Sequence, residues 1–512
     1  MAHALAGKPV QEQDIIDVQT IVDAYFDNVP DMTNPTQLVS FGTSGHRGTS
    51  VDGTFTDLHV AAITQAICDG RKQFGATGPI FVGQDTHALS QPALVTVLEV
   101  LAGNGVTAMV DCDMDFVPTP SVSRAIIRYN EEHDDKADGI IITPSHNPPD
   151  NGGIKYNTII GGPADTVVTK WIEMRANEYL TAYCESEDFK RISIDNIEPT
   201  AQVPYAYKGL YVEELGDVIN MEAIKAAGPK VLVDTLGGSG ASYWNAIKER
   251  YGLDLTIIHD DYDPTFSFMT YDHDGKVRMD CSSTYVMASV INRIGDFDLA
   301  VGNDPDYDRY GIVVSSGLIS ANTFLTLAAR YLFTTRGWKN KGVGKTVVCT
   351  TMIDKWATSA EIPVFEVPVG FKYFSQLLFD GAIGIGGEES AGASFLKKDG
   401  TVWTTDKDGM IMALLSMEIM AVMGKSALKM ADESLEEFGN PSFGRIDAPC
   451  KKEQKQILKQ MSAELITATT VDGDSITNIR TTSLYNDMPI DGVRVETDKG
   501  WFVARPSGTE DL

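Results

Sequence analysis

Positive charge is what this 512-residue chain has least of: 42 lysines and arginines stand against 71 aspartates and glutamates, a formal net charge of -29. A protein of that sign repels nucleic-acid phosphates and anionic lipid, so neither nucleic acid nor membrane is expected as a partner, and an anionic small ligand needs a locally basic pocket or a metal. Long apolar runs are missing too. Nothing approaches the roughly eighteen residues of a membrane span, and the start, Met1-Ala2-His3-Ala4-Leu5, has no basic stretch ahead of an apolar one, so the chain is expected to be cytoplasmic. Its six cysteines, Cys68, Cys112, Cys184, Cys281, Cys349 and Cys450, include no CxxC pair, which fits reduced structural thiols.

Several common chemistries fail on spacing. Gly344-Lys345-Thr346 invites a P-loop, but Lys339 stands where its first glycine belongs. No serine satisfies G-x-S-x-G, and none of the eight histidines has metal-pair spacing on an evident helix. An EF-hand begun at Asp304 would put Arg309 at its glycine position and Ser315 at its glutamate position.

What is present is a repeated rhythm. The composition, 43% hydrophobic and 22% charged, is that of a globular protein, and the length predicts three or four domains. Apolar spacing predicts helices over 58–74, 93–102 and 121–129 with strands at 80–82, 107–110 and 139–142, the βαβ pattern of a helix-covered sheet. Residues 158–191 read as more helical, and 192–204 as a polar linker. The rhythm restarts with strands at 231–234, 255–258 and 297–301, and again with a helix over 323–333 and strands at 346–349, 364–367 and 383–385. A smaller α+β unit follows, with a helix over 453–465 and strands at 493–496 and 501–503. The expected class is α/β, three consecutive α/β units with mixed or parallel sheets and an α+β C-terminal domain, divided as 1–205, 206–320, 321–440 and 441–512.

Each α/β unit places a polar loop at a strand's carboxyl end, where open α/β sheets bind ligands. In the first, Thr143-Pro144-Ser145-His146-Asn147-Pro148-Pro149, three prolines stiffen a loop that presents one hydroxyl. In the second, Asp304, Asp306 and Asp308 are spaced by two, so an extended backbone would set them on one face. Carboxylates about 4 Å apart repel by roughly 4 kcal/mol near a protein surface, which a divalent cation relieves; an all-oxygen set with room for phosphate suits Mg²⁺. The third carries Gly387-Glu388-Glu389-Ser390-Ala391-Gly392. Near the N-terminus, Gly42-Thr43-Ser44-Gly45-His46-Arg47-Gly48 adds another loop, in which His46, like His146, reads as a hydrogen-bonding scaffold. At the end, Arg505-Pro506-Ser507-Gly508-Thr509-Glu510 combines a guanidinium, two hydroxyls and a glycine, the makings of a phosphate cradle.

Together these motifs, with PVGFK at 368–372, resemble the α-D-phosphohexomutases, most closely the bacterial phosphoglucomutases, from about Phe41 to the end. The resemblance implies a heart-shaped, four-domain enzyme that acts as a monomer or homodimer on hexose phosphates. Ser145 would carry a phosphoryl group and, with Asp304, Asp306 and Asp308, hold Mg²⁺. Glucose 1-phosphate would pass through glucose 1,6-bisphosphate, the intermediate and activator, to glucose 6-phosphate. Arg505, Ser507, Gly508 and Thr509 match the phosphate cradle, Glu388 and Ser390 the sugar-hydroxyl contacts, and Gly370 and Lys372 the sugar-recognition loop. Arg47 and Arg309 match positions that stabilise the moving phosphoryl group, and His146 adjoins the reacting hydroxyl. Lys155 is the candidate general acid or base, on the argument that an amine among cations has a lowered pKa, with Lys398 as the second proton-transfer residue. Phosphomannomutase or phosphoglucosamine mutase activity is the alternative, and a non-catalytic sugar-phosphate-binding relative a further one. Chains of this family continue past RPSGTE with a strand and a helix, whereas this one stops at Leu512, so slower turnover than in a longer chain is expected.

Overall fold

The structure is a computed structural model that describes residues 2–42, 44–184, 189–338, 340–425, 427–439, 441–446, 448 and 450–506. The described residues form four sheets in chain order. The first contains β1 (His46–Thr49), β2 (Ile80–Gln84), β3 (Ala108–Asp111), β4 (Asp138–Ile142), β5 (Asn151–Asn157) and β6 (Gln202–Tyr205), in the order β1-β5-β4-β2-β3-β6. β4, β2, β3 and β6 are parallel, whereas β1 and β5 run antiparallel to their neighbours. Helices Asp57–Gly70, Ser90–Gly103, Thr119–Glu132 and Thr166–Cys184 pack about it, close to the expected periods.

Two features of this sheet escaped the sequence pattern. The linker expected over 192–204 ends in β6, which pairs with β3. Pro204 is tolerated there because β6 is the outermost strand and one missing donor does no harm. β5 was hidden by Gly152 and Gly153, which read as loop. They are glycines for space: a Cβ at 152 would lie 2.3 Å from the Phe55 ring, and one at 153 only 2.2 Å from the Thr143 carbonyl oxygen.

The second sheet takes β7 (Val231–Asp234), β8 (Leu255–Ile258), β9 (Leu299–Asn303), β10 (Tyr310–Val314) and β11 (Gly317–Leu318) in the order β11-β10-β9-β7-β8. The third takes β12 (Gly342–Thr346), β13 (Val364–Val367), β14 (Ile383–Gly387) and β15 (Ala393–Phe395) in the order β13-β12-β14-β15. The strand expected at 346–349 lies earlier, at β12; its glycines disguised it, and Gly342 is one because a Cβ there would meet the Phe365 ring at 2.2 Å. The last sheet is an antiparallel meander of β16 (Thr470–Val471), β17 (Asp474–Thr482), β18 (Pro489–Thr497) and β19 (Trp501–Ala504). Its helix runs over Lys452–Lys459, shorter than expected.

The second and third units share one apolar core, which runs from Tyr211 through Trp244, Phe324 and Trp403 to Met417. Through it passes the helix Gly409–Met423, almost wholly apolar and buried from Gly409 to Ile419, its one charged side chain, Glu418, met there by Arg336 and Tyr331. Among the described residues no single helix is long and apolar enough to cross a membrane. The meander is seated on the third unit by Arg480, which clasps Glu366 with two bonds of 2.6 and 3.0 Å, and by Tyr485 against the Phe365 ring. The first residues of the chain lie against the second unit: His3 N donates to His273 O at 2.8 Å and Val10 N to Met269 O at 3.0 Å.

Candidate active site

β4 ends in Ile142, and the loop that follows is pinned from β2. Asp85 accepts from Thr143 Oγ1 at 2.6 Å and from Ser90 Oγ at 2.6 Å, and pairs with His87 Nδ1 at 2.8 Å. The other nitrogen of His87 reaches the Asn147 carbonyl at 3.0 Å. Thr143 Oγ1 in turn accepts from Ser145 N at 2.7 Å, so the loop is fixed at both ends. Ser145 has φ 62°, a left-handed conformation that costs a residue with a Cβ about 1–2 kcal/mol and that this network maintains.

The twist turns the Ser145 hydroxyl toward the second unit, where Oγ donates to Asp304 Oδ2 at 3.0 Å. His146 Nδ1 lies 3.3 Å from the same Oγ. Burial, reinforced by Arg309, pushes the His146 pKa well below the usual value and keeps the imidazole neutral, while its carbonyl accepts from Met279 N at 3.2 Å. His46 is a scaffold residue as expected, its ring nitrogens set against the carbonyls of Ser40 and Thr54.

The three aspartates do converge, but not from an extended segment. They lie on a tight turn between β9 and β10, closed by Tyr307 N on Asp304 O at 2.9 Å, with Tyr307 at φ 63°. The Tyr307 ring underlies Gly240, where a Cβ would approach within 2.4 Å of it. Ligand atoms from the three carboxylates come within 4.8 Å of one another, all three buried. Each carboxylate has one oxygen held by neighbouring donors, and on Asp304 the other takes the Ser145 hydroxyl. Asp304 Oδ1 accepts from Arg309 N at 2.9 Å; Asp306 Oδ2 from Lys155 Nζ at 2.6 Å and Thr119 Oγ1 at 2.7 Å; Asp308 Oδ2 from Lys407 Nζ at 2.7 Å and Lys155 Nζ at 3.2 Å. Asp306 Oδ1 and Asp308 Oδ1 are buried and accept no hydrogen bond from the described residues. A hard cation with oxygen ligands fits this set, since buried carboxylate oxygens without donors are costly unless an ion meets them. Burial and the charges of Asp306 and Asp308 raise the Asp304 carboxyl well above the usual range. For Asp308 burial acts the same way, but Lys407, Lys155 and Arg309 outweigh it and hold its carboxyl below that range.

Lys155 corrects its sequence reading. It sits on β5 among carboxylates, not cations, and although burial opposes its charge, Asp306 and Asp308 raise its pKa above the ordinary lysine value. Lys398 does not reach the site: its backbone N donates to Asp217 O at 2.9 Å and its Nζ points to Ile219 O at 3.5 Å, in a seam between the second and third units. The lysine that does arrive is Lys407, which no motif flagged. Its signal was the charged run Asp406-Lys407-Asp408-Gly409 just ahead of an apolar helix, with Asp408 as N-cap.

Arg309 spans Asp280 at 3.4 Å and Asp308 at 3.9 Å, and a backbone bridge with Gly392 ties the aspartate turn to the third unit's loop. Arg47, on β1, donates weakly to Asn147 Oδ1 at 3.3 Å and Ser44 Oγ at 3.4 Å, and its buried Nε has no partner among the described residues. Burial lowers its pKa against the pull of Asp306. Glu388 follows β14, buried, and accepts from Gly370 N at 3.1 Å. Burial lifts its carboxyl to about 7 against the nearby Lys407 charge. Ser390 is half-buried in the turn toward β15. Lys372 reaches away, to Thr166 Oγ1 of the first unit at 2.9 Å, with burial lowering its pKa. Arg505, its pKa lowered by burial, is set near Glu389 and Asp491, with Nε unpartnered among the described residues. Ser507, Gly508 and Thr509 lie outside the described residues.

A buried serine facing a carboxylate triad, with cations gathered from three consecutive α/β units, is the layout of a phosphohexomutase. Residues 38–182, 210–317 and 320–438 match, in order, the alpha/beta/alpha domains I, II and III of phosphoglucomutase/phosphomannomutase. The chain belongs to the phosphoglucomutase/phosphomannomutase family. It is 46% identical over 512 residues to a phosphoglucomutase of Komagataeibacter xylinus, covering 99% of this chain and 92% of that one. To phosphoglucomutase 1 of Saccharomyces cerevisiae it is 27% identical, over 92% of this chain and 86% of the yeast protein. The fold is similar to that of a putative phosphomannomutase from Thermus thermophilus, with TM-score 0.72 and 23% identity over 92% of this chain and 93% of that one.

Proposed function

We propose that the chain is a phosphoglucomutase that interconverts α-D-glucose 1-phosphate and glucose 6-phosphate through phosphoserine 145 and a bound glucose 1,6-bisphosphate. The observation that carries this is Ser145 Oγ at 3.0 Å from Asp304 Oδ2, beside two buried carboxylate oxygens without donors. Asp304, Asp306 and Asp308, with the Ser145 phosphate, would hold Mg²⁺, which when bound neutralises charge on the phosphoryl oxygens. The Oγ–P bond of Ser145 breaks as a P–O bond forms to the sugar's 6-hydroxyl oxygen, the hydroxyl giving up the proton that in net ends on Ser145 Oγ, and the reverse transfer returns the 1-phosphate to Ser145. Arg47 and Arg309 meet the charge of the phosphoryl group in transit. Lys155, held protonated by its neighbours, suits the acid role at the departing serine oxygen. Glu388 and Gly370 orient the sugar, and Arg505 takes the phosphate that is not reacting. The free thiols at Cys68, Cys281 and Cys349 are compatible with a cytoplasmic enzyme.

The test is intact mass before and after excess sugar monophosphate. A mutase carries one phosphate on the Ser145 peptide and loses it to the sugar; a phosphate that stays, or never appears, removes the reading. Running glucose, mannose and glucosamine 1-phosphates in parallel decides the substrate. A separate expectation concerns Glu388. With its carboxyl at about 7, the ionised form, the better acceptor for sugar hydroxyls, grows as pH rises through neutrality. KM for glucose 1-phosphate should therefore fall between about pH 6 and about pH 8, and Glu388→Gln should flatten that limb. The substrate's own phosphate titrates alike with both proteins, so parallel profiles would refute the assignment.

A further inference from the structure

The first sheet has a second edge, away from the serine loop. β2, β3 and β4 run parallel, so Ile80, Ala108 and Asp138 begin together on the side opposite residues 143–149, and the length of β4 puts about 13 Å between that edge and the loop. A cavity of about 600 Å³ opens there, within the size range of small-molecule pockets, walled by residues from 68–79 and 104–109 together with Tyr129 and Asp135. Its walls are fixed from behind. Arg71, just past the helix Asp57–Gly70, donates from Nη2 to the carbonyls of Gly78 at 2.8 Å and Pro79 at 3.1 Å, and from Nη2 and Nε to the two oxygens of Asp138 at 2.5 and 3.2 Å. Asn104 is held by an exchange of amide bonds with Gln65, 2.9 and 2.8 Å long. Gly78 is small because a Cβ would lie 2.4 Å from the Asp135 carbonyl oxygen, where the turn closes.

What these bonds leave over is a set of donors. The Arg71 side chain is only 7% exposed, and Nη1 is the one guanidinium nitrogen without a partner among the described residues. Lys72, exposed on the rim, forms no ion pair among them, and the hydroxyls of Thr77 and Thr107 make no hydrogen bond among them. Arg71 Nη1, Lys72 Nζ and Thr77 Oγ1 match in number the three terminal oxygens of a phosphate monoester. Asp135 sets a further condition. Its Oδ2 takes the Tyr129 hydroxyl at 3.2 Å, which leaves Oδ1 as an acceptor: bare phosphate would be repelled by that carboxylate, whereas a ligand hydroxyl would donate to it.

We infer that this cavity is a binding site for a hydroxylated phosphate monoester of about pentose size, its phosphate on Arg71, Lys72 and Thr77 and its hydroxyls on Asp135 and Thr107. The site is separate from Ser145 and independent of the mutase reading. Its test is hydrogen exchange read by mass spectrometry on the full chain with ribose 5-phosphate, beside ribose and inorganic phosphate alone, for the parent, Lys72→Glu, Thr107→Tyr and Arg505→Ala, each checked by thermal melting. Ribose 5-phosphate at about 10 mM or below should protect peptides within 68–79 and 104–109, and ribose or phosphate alone should need at least about tenfold more. Lys72→Glu, a reversal at an exposed position, should weaken the protection at least about tenfold, and Thr107→Tyr, which fills the space, should remove it. Arg505→Ala, in another unit, should change it by less than about twofold. The inference is overturned if those peptides stay unprotected in the parent, if Lys72→Glu or a folded Thr107→Tyr is protected like the parent, or if ribose or phosphate alone does as well. It is overturned equally if Arg505→Ala removes the protection, which would assign the phosphate to the active site instead.

Discussion

Ser145→Ala is expected to abolish interconversion of glucose 1-phosphate and glucose 6-phosphate, by at least about 10⁴-fold in kcat, because removing a covalent nucleophile leaves only binding and positioning behind. Among the described residues Ser145 Oγ is the hydroxyl that donates to Asp304 Oδ2. The substitution should disturb little else. Alanine can occupy the left-handed backbone at a cost similar to serine's, and the bond from the backbone N of residue 145 to Thr143 Oγ1 survives. Mg²⁺ affinity of the dephosphorylated protein measured by calorimetry should therefore change by less than about threefold, since Asp306 and Asp308 keep their donors and only the hydroxyl bond to Asp304 Oδ2 is lost. Residual turnover within tenfold of the parent in a coupled dehydrogenase assay would end the phosphoserine mechanism. Loss of both turnover and Mg²⁺ binding would instead point to a collapsed loop, which Ser145→Gly, freed of the left-handed strain, would expose by recovering Mg²⁺ binding alone.

The second large effect concerns stability. Glu366→Ala takes from the Arg480 guanidinium, 9% exposed against the flank of β13, the carboxylate that clasps it with two bonds, and leaves it Thr482 O at 3.0 Å and Glu496 Oε1 at 3.4 Å. Breaking a buried pair from one side costs about 3–5 kcal/mol, because a desolvated charge loses its partner, and the bonds that Arg480 keeps to Thr482 and Glu496 put the expected loss at the lower end of that range. The cost falls on the seat of the C-terminal meander, so calorimetry should show an early transition separating from the main one, and limited proteolysis should cut first between 441 and 500. Glu366→Ala combined with Arg480→Ala should recover part of the loss, and the shortfall measures the coupling. A single transition at the parent temperature for Glu366→Ala would show that the meander is held by other means.

The loops that carry the chemistry were legible because each compresses its information into a few residues after a strand: Ser145 between prolines, and the alternating aspartates. The fold class followed from the same rhythm and agrees with the family. What stayed hidden depends on residues far apart in the chain. Lys155 stands among glycines in sequence, and nothing nearby announces the two carboxylates that raise its pKa. Lys407 and Asp308 meet only because Gly409 docks on Tyr307. The glycine-bearing strands β5 and β12 looked like turns, since a residue kept small for a neighbour's sake is spelled the same way as one kept small for flexibility. For Asp304, Asp306 and Asp308 the convergence was right and the reason wrong, a turn through Tyr307 replacing the expected extended run.

The pairing of residues 3–10 with residues 269–273 has a consequence for the order of biosynthesis. Residues 3–10 are translated about 260 residues before the segment they pair with, a wait of roughly 13–50 s at ordinary elongation rates. Throughout it Leu5 and Val10, which finally pack on the cluster that holds Phe266, Met269 and Met279, lack that cover, and the second unit completes its surface only by reaching back for a segment made long before it.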